Sequence, residues 1–178
     1  MKRADAERNR NAIVRTARKL FLSEGPQVNL SDIIKRSGLS RITFYRHFSS
    51  KSELIHAIFE RNLMILRWYA QKLQCDEKGF EKLLSITASM HLYFHELSLY
   101  VDDPERKLLN QLISIFRPLA DCAKKQNKIR KDFDPENDLV LLIMMISGAI
   151  VFSESNEKKR DLKRAYQMLL EGIKNRDQ

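Results

Sequence analysis

The chain has 178 residues, a formal charge of +9, 43% hydrophobic residues and two cysteines. That length suits one ordinary domain or a small head joined to a larger body, and the apolar content excludes a disordered chain. Cys75 and Cys122 sit far apart in the chain with no paired spacing, and the longest apolar run, residues 139–152, falls short of the about 20 residues that a membrane helix needs.

The charge is unevenly placed. Through Glu53, twelve lysines and arginines face five acidic residues, so +7 of the +9 lies in the first third and +2 in the rest. A basic end suits a polyanion, because cations that displace counterions from phosphates supply most sequence-independent affinity for DNA. On charge alone, a solvated basic surface reads equally well. The opening Met-Lys-Arg-Ala-Asp is no apolar leader, which leads to the expectation of a cytoplasmic protein with reduced thiols and no membrane partner.

Five glycines and four prolines punctuate the chain, and strict apolar–polar alternation is missing, so the fold expected is all-α, with about nine helices. The first helix spans about 4–23, with Ile13, Ala17, Leu20 and Phe21 on one face, and Gly25-Pro26 ends it. Asn29 caps a short second helix carrying Ile33 and Ile34. After Ser37-Gly38, Ser40 caps a third over 41–47. Ser50-Lys51-Ser52-Glu53 has the spacing of a capping box and opens a fourth helix that runs to about 73. Asp76 is the expected cap of a fifth helix to about 97, and Asp103-Pro104 opens a sixth to about 127. The sixth carries an apolar stripe of Leu108, Leu109, Leu112, Phe116, Leu119 and Ala123. Pro135 opens an apolar helix to 152, and a last one spans about 156–174.

The informative stretch is Val28 to Phe48, followed by Lys51. It is two short helices joined at a glycine, which can take the left-handed conformation that such a turn requires. With Phe44 and Phe48 inward at i and i+4, a rotation of about 100° per residue turns Ile42 and Arg46 outward, flanked by Thr43 and Tyr45. Over residues 10–54 the chain resembles the DNA-binding head of the tetracycline-repressor family, whose helix-turn-helix ends in Tyr-x-His-Phe and then lysine. Tyr45, His47, Phe48 and Lys51 match that signature.

The resemblance implies a three-helix DNA-binding head over 1–54 and a larger helical ligand-binding and dimerisation body over 55–178. It implies that Arg41, Ile42 and Thr43 sit nearest the base edges of double-stranded DNA, where Thr43 would hydrogen-bond or touch a thymine methyl and Arg41 would reach guanine or phosphate. Tyr45, His47 and Lys51 would meet phosphates beside the start of the fourth helix, and Ser31, Ser40 and Arg46 complete the DNA-facing set. Two departures stand out. Ile42 occupies a place where the family often has a small residue, and Ile34 and Ser37 stand where it often has alanine.

A single head of this size contacts too little DNA for specificity, so such proteins pair on half-sites about 34–36 Å apart. The helix over 139–152 is apolar on more than one side, and a monomer this small cannot easily cover it. Packed with the last helix against a second copy, it predicts a homodimer interface through Leu141, Met145, Gly148, Phe152, Leu162, Tyr166 and Leu169. The family further implies a pocket for a small-molecule effector, with Trp68, Tyr69, His91, Phe94, Phe116 and Met144 as candidate lining groups, although each fits plain core as well. His91 and His95 stand four apart without a visible third ligand, so no metal site and no cofactor are expected; the ordinary reading of Cys122 is an inert thiol.

Glycine-rich phosphate loops, metal clusters and Ser/His/Asp arrangements are missing, so an enzyme is not expected. The reading is a dimeric repressor released from a pseudo-palindromic operator by an effector. The alternative is a regulator controlled by a protein partner, or constitutive, without a small ligand.

Overall fold

A computed structural model describes residues 2–74, 76–94, 96–101, 103, 106–155 and 159–174, and their side chains except at 2–3, 92–94, 150–155 and 159–163. Its order is α1 (Lys2–Glu24), α2 (Leu30–Ser37), α3 (Arg41–His47), α4 (Lys51–Leu73), α5 (Gly79–Phe94), a 3-10 turn (Glu96–Tyr100), α6 (Lys107–Lys125), α7 (Asp138–Ser155) and α8 (Lys159–Ile173). The fold is all-α: the one pairing of extended backbone among the described residues is an isolated bridge between Ile129 and Lys174.

Two compact units emerge. The first holds residues 1–61 and 93–104, the second 62–92 and 105–178. The first unit thus continues seven residues past the boundary at 54 and takes in a distant segment. Its core gathers Ile13, Ala17, Leu20 and Phe21 of α1, Ile33 and Ile34 of α2, Phe44, Phe48, and Leu54, Ile55 and Ile58 of α4, with Leu97 from the 3-10 turn. In the second unit, Phe80 meets Phe116 at 5.9 Å and Phe133 at 5.4 Å, both edge to face, with Leu83, Leu84, Leu139 and Leu142 around them.

Several helix starts lie further along the chain than their capping residues. Asp76 does not cap α5; its carboxylate accepts from the Lys78 N–H at 2.8 Å and its carbonyl from Gly79 N–H at 2.9 Å, so it closes a turn ahead of that helix. At its far end α5 stops at Phe94, and the 3-10 turn carries Leu97 into the other unit's core. Arg106 precedes α6 with φ 53°. Pro104 and Asn156, expected to open α6 and α8, lie outside the described residues, as do Cys75 and His95.

Residues 134–137 form a turn before α7, in which the Asp134 carbonyl accepts from Asp138 N–H at 2.7 Å. Asp138 answers by accepting from Asp134 N–H at 2.8 Å and from the Arg130 guanidinium at 3.1 Å. Burial pushes the Asp138 carboxyl up, but the Asp134 amide and Arg130 outweigh it and hold it below the ordinary carboxylate range. A carboxylate depressed by folding stabilises above its unfolded pKa, and that stability is lost as the pH falls through the lower folded value. Asp138→Asn is therefore expected to cost about 1–2 kcal/mol near neutral pH. In denaturant melts, the gap between variant and wild type should close on acidification below about pH 4; a gap that persists there contradicts the assignment.

Candidate nucleic-acid interface

The segment from Asn29 to Lys51 is built from local rules. The Asn29 carboxamide accepts from Asp32 N–H at 3.1 Å and starts α2. Gly38 ends it with φ 70° and donates its N–H to Lys35 O at 3.4 Å; a side chain there would meet no neighbour, so the backbone angle is what asks for glycine. Ser40 then accepts from Thr43 N–H at 3.1 Å and opens α3.

α3 has two unlike faces. Phe44 and Phe48 are wholly buried, 6.1 Å apart between ring centroids, and the Arg10 guanidinium lies 5.2 Å above the Phe48 ring. On the other face Ile42 is 76% exposed, the most exposed large apolar residue of this unit after Leu99, and Arg41, Tyr45 and Arg46 are exposed beside it. Ser31 and Ser40 are exposed, and Thr43 and His47 half-buried. Ile42 thus stands in water on a two-turn helix whose opposite side is fully packed, which is the form of a surface made to meet something.

The cations divide into engaged and free. Arg36 pairs with Glu24 at 2.7 Å, Arg10 with Glu60 at 3.8 Å and Arg8 with Asp5 at 3.6 Å. Arg15, Lys19, Lys35, Arg41 and Arg46 are exposed and enter no ion pair among the described residues. Lys51 has partners within the unit. Its ammonium donates to the Pro26 carbonyl and lies over the Phe21 and Tyr100 rings at 5.7 and 5.3 Å. Burial holds its pKa below the ordinary lysine value.

Two hydroxyl arrangements also refine the reading. Thr43 Oγ1 shares a hydrogen bond with Ser40 Oγ at 2.9 Å, which leaves its methyl for a base together with either both hydroxyl lone pairs or the hydroxyl proton and one lone pair. At the start of α4, Ser50 Oγ accepts from Glu53 N–H at 3.1 Å, as a capping box requires. The Glu53 carboxylate, however, accepts from the N–H and hydroxyl of Ser49, at 2.7 and 2.8 Å, rather than from Ser50 N–H. The Ser49 amide and hydroxyl hold that carboxyl below its ordinary pKa.

The candidate effector-pocket residues are not gathered. Trp68 and Tyr69 are exposed neighbours on α4 in edge-to-face contact at 4.9 Å, Met144 is 64% exposed on α7, and Phe116 is a wholly buried core residue. His91 is half-buried, and the Phe94 side chain lies outside the described residues. A groove of about 140 Å³ in the second unit runs instead between Arg67 and Gln71 of α4, with Gln74 just beyond its end, and Ser114, Ile115 and Pro118 of α6. Their helical spacing was visible in the sequence, but their pairing across two helices was not.

Of the residues expected at a dimer surface, Leu141, Met145 and Gly148 are exposed along one side of α7. Tyr166 and Leu169 are half-buried against the second unit's core, where the Tyr166 hydroxyl donates to Glu81 O at 3.2 Å. The side chains of Phe152 and Leu162 lie outside the described residues. Met168, 66% exposed on α8, had not been singled out. No helix among the described residues is long and apolar enough to cross a membrane.

Residues 13–58 match the family described as bacterial regulatory proteins, tetR family. An HTH-type transcriptional regulator of Staphylococcus aureus strain USA300 is 31% identical over 93 residues, 52% of this chain and 50% of that protein, so the chain spans about half the length of the curated relative it matches. The reduced form of NemR from E. coli has a similar fold, with TM-score 0.70 at 14% identity over 96% of this chain and all of that one. So does SmeT, the repressor of the Stenotrophomonas maltophilia multidrug efflux pump SmeDEF, with TM-score 0.64 at 21% identity over 94% and 91% of the two chains.

Proposed function

We propose that this chain, which matches the tetR family of bacterial regulatory proteins over residues 13–58, is a DNA-binding transcriptional regulator that acts as a homodimeric repressor and is released from its operator by a small-molecule effector. The observation that carries the DNA-binding step is the outward face of α3, where Ile42 stands exposed between Arg41, Tyr45 and Arg46 while Phe44 and Phe48 lock the opposite face. In a major groove, Ile42 and the Thr43 methyl would suit thymine methyl groups, and Arg41 would reach guanine or phosphate. Tyr45, Arg46 and His47 would steady the helix on the backbone, with Ser31 and Ser40 at the edge of the contact.

Support for a homodimer comes from α7 and α8. Leu141, Met144 and Met145 of one helix and Met168 of the other are each more than half exposed, an apolar surface that a lone protomer would leave in water. A repressor role is proposed by likeness to SmeT. An effector would act by favouring a head spacing that misses the half-sites.

The test is a titration of labelled duplexes, selected from random sequence, at increasing salt. Replacing Arg41 and Arg46 together by alanine is expected to weaken binding at least tenfold at low salt and to flatten the plot of log affinity against log salt by roughly one to two units, at about 0.9 per phosphate contact. Equal slopes for variant and wild type would rule out this face as the one that meets DNA. The effector step is checked in the same titrations: a compound that raises the melting temperature of the free protein should lower its affinity for the duplex. Stabilising compounds that leave DNA affinity unmoved would refute release by an effector.

A further inference from the structure

The 3-10 turn Glu96–Tyr100 is separated from the start of α4 by more than forty residues of chain, yet it is built into the first unit. Leu97 is 2% exposed within that unit's core, Val101 packs against the same cluster, and Ser52 Oγ donates to the Tyr100 carbonyl at 3.0 Å. Beside that bond the Tyr100 ring covers the Lys51 ammonium at 5.3 Å, the Phe21 ring covers it at 5.7 Å, and the Pro26 carbonyl accepts a hydrogen bond from it. An ammonium has three donors and no preferred plane, so these groups fix its position from several directions at once. To swing away from the head toward a phosphate, Lys51 would have to give up a hydrogen bond and two ring contacts.

We propose that Tyr100 is a positioning residue for DNA binding: it holds Lys51 against the head, and Lys51 adds a phosphate contact only when the turn Glu96–Tyr100 is displaced. This rests on the DNA-binding reading above. The turn follows α5 in the chain and precedes α6, so it ties the availability of one cation at the DNA-binding head to a segment read from elsewhere in the sequence. The lowered pKa of Lys51 agrees with an ammonium partly withdrawn from water.

The experiment compares the full-length wild type with Tyr100→Leu, which keeps apolar bulk and removes the ring, and with Ser52→Ala, which removes the bond to the Tyr100 carbonyl. Each is titrated with one fixed duplex between about 50 and 200 mM salt. Circular dichroism establishes that the variants are folded. Both variants are expected to bind several-fold more tightly at low salt, with a slope steeper by about one phosphate contact. Adding Lys51→Gln to Tyr100→Leu should return the slope to that of the wild type. A folded Tyr100→Leu with unchanged or shallower slope, while the wild type binds DNA, overturns this inference alone. A wild type that binds no duplex overturns the DNA-binding reading and the inference with it. A merely structural role for Tyr100 would lower stability without steepening the slope.

Discussion

Phe44→Ala is expected to melt the DNA-binding head and remove DNA binding at every salt concentration. The ring is wholly buried, edge to face with Tyr45 at 5.5 Å and tilted against Phe48 at 6.1 Å, in a cluster drawn from α1, α2 and α4. Large-to-small changes at such a position cost about 3–5 kcal/mol, because the cavity is only partly filled by relaxation. A domain has only about 5–15 kcal/mol to lose, and this one is small. The loss should appear in thermal melts as an early transition, with the second unit, whose core contains none of these residues, melting later. Phe44→Leu should cost much less, since most of the volume is kept. A single transition close to that of the wild type for Phe44→Ala would mean that α3 is not held by this ring.

The second large effect is expected on the face of α7. Leu141 and Met145 lie four apart and are both more than half exposed, with Met144 64% exposed between them. Replacing Leu141 and Met145 together by glutamate would place like charges against the same charges of a second copy across the proposed two-fold interface. Analytical ultracentrifugation should then report a monomer in place of a dimer. Affinity for a two-half-site operator should fall about 100-fold or more, because one head no longer benefits from the effective concentration supplied by the other. Melting of the single protomer should hardly change, since both side chains already face water. A variant that stays dimeric would move the interface elsewhere, and a monomer with undiminished operator affinity would separate DNA binding from pairing.

These two experiments probe residues of different legibility. Phe44 and Ile42 could be placed from sequence because a helix carries its own ruler: with aromatics inward at 44 and 48, the positions two residues before and two after Phe44 turn outward, whatever the rest of the chain does. The caps at Asn29 and Ser40 and the turn at Gly38 were legible for the same reason, as each bond closes within three residues. The capping box at Ser50 was half right. Ser50 receives the Glu53 N–H, but the carboxylate found two donors on Ser49 in place of one on Ser50, and two charge-assisted bonds outweigh one.

Helix starts failed where a turn competed with a cap. Asp76 had the chemistry of a capping residue and spent it on the turn ahead of α5, and Pro135, expected to open α7, sits in a turn where the Asp134 carboxylate accepts from Glu136 N–H ahead of the helix start at Asp138. A short polar side chain serves either end equally well, so sequence alone could not separate the two. The candidate pocket failed for a different reason. Trp68, Tyr69, Phe116 and Met144 share an apolar character that suits a cavity, a core or a protomer surface, and the structure distributes them between core and surface.

Whatever closes within a turn or two of helix was legible in the residues: an all-helical chain, the capped α2–turn–α3 unit, its packed and exposed faces, and the apolar side of α7. Tertiary structure alone decided that Leu97 completes the core of the first unit, that Ser52 holds the Tyr100 carbonyl, and that Lys51 turns to Pro26 rather than to solvent. Contacts between residues that far apart in the chain leave no periodic trace in it. They form only when the summed burial of many side chains offsets the entropy of closing the loop between them.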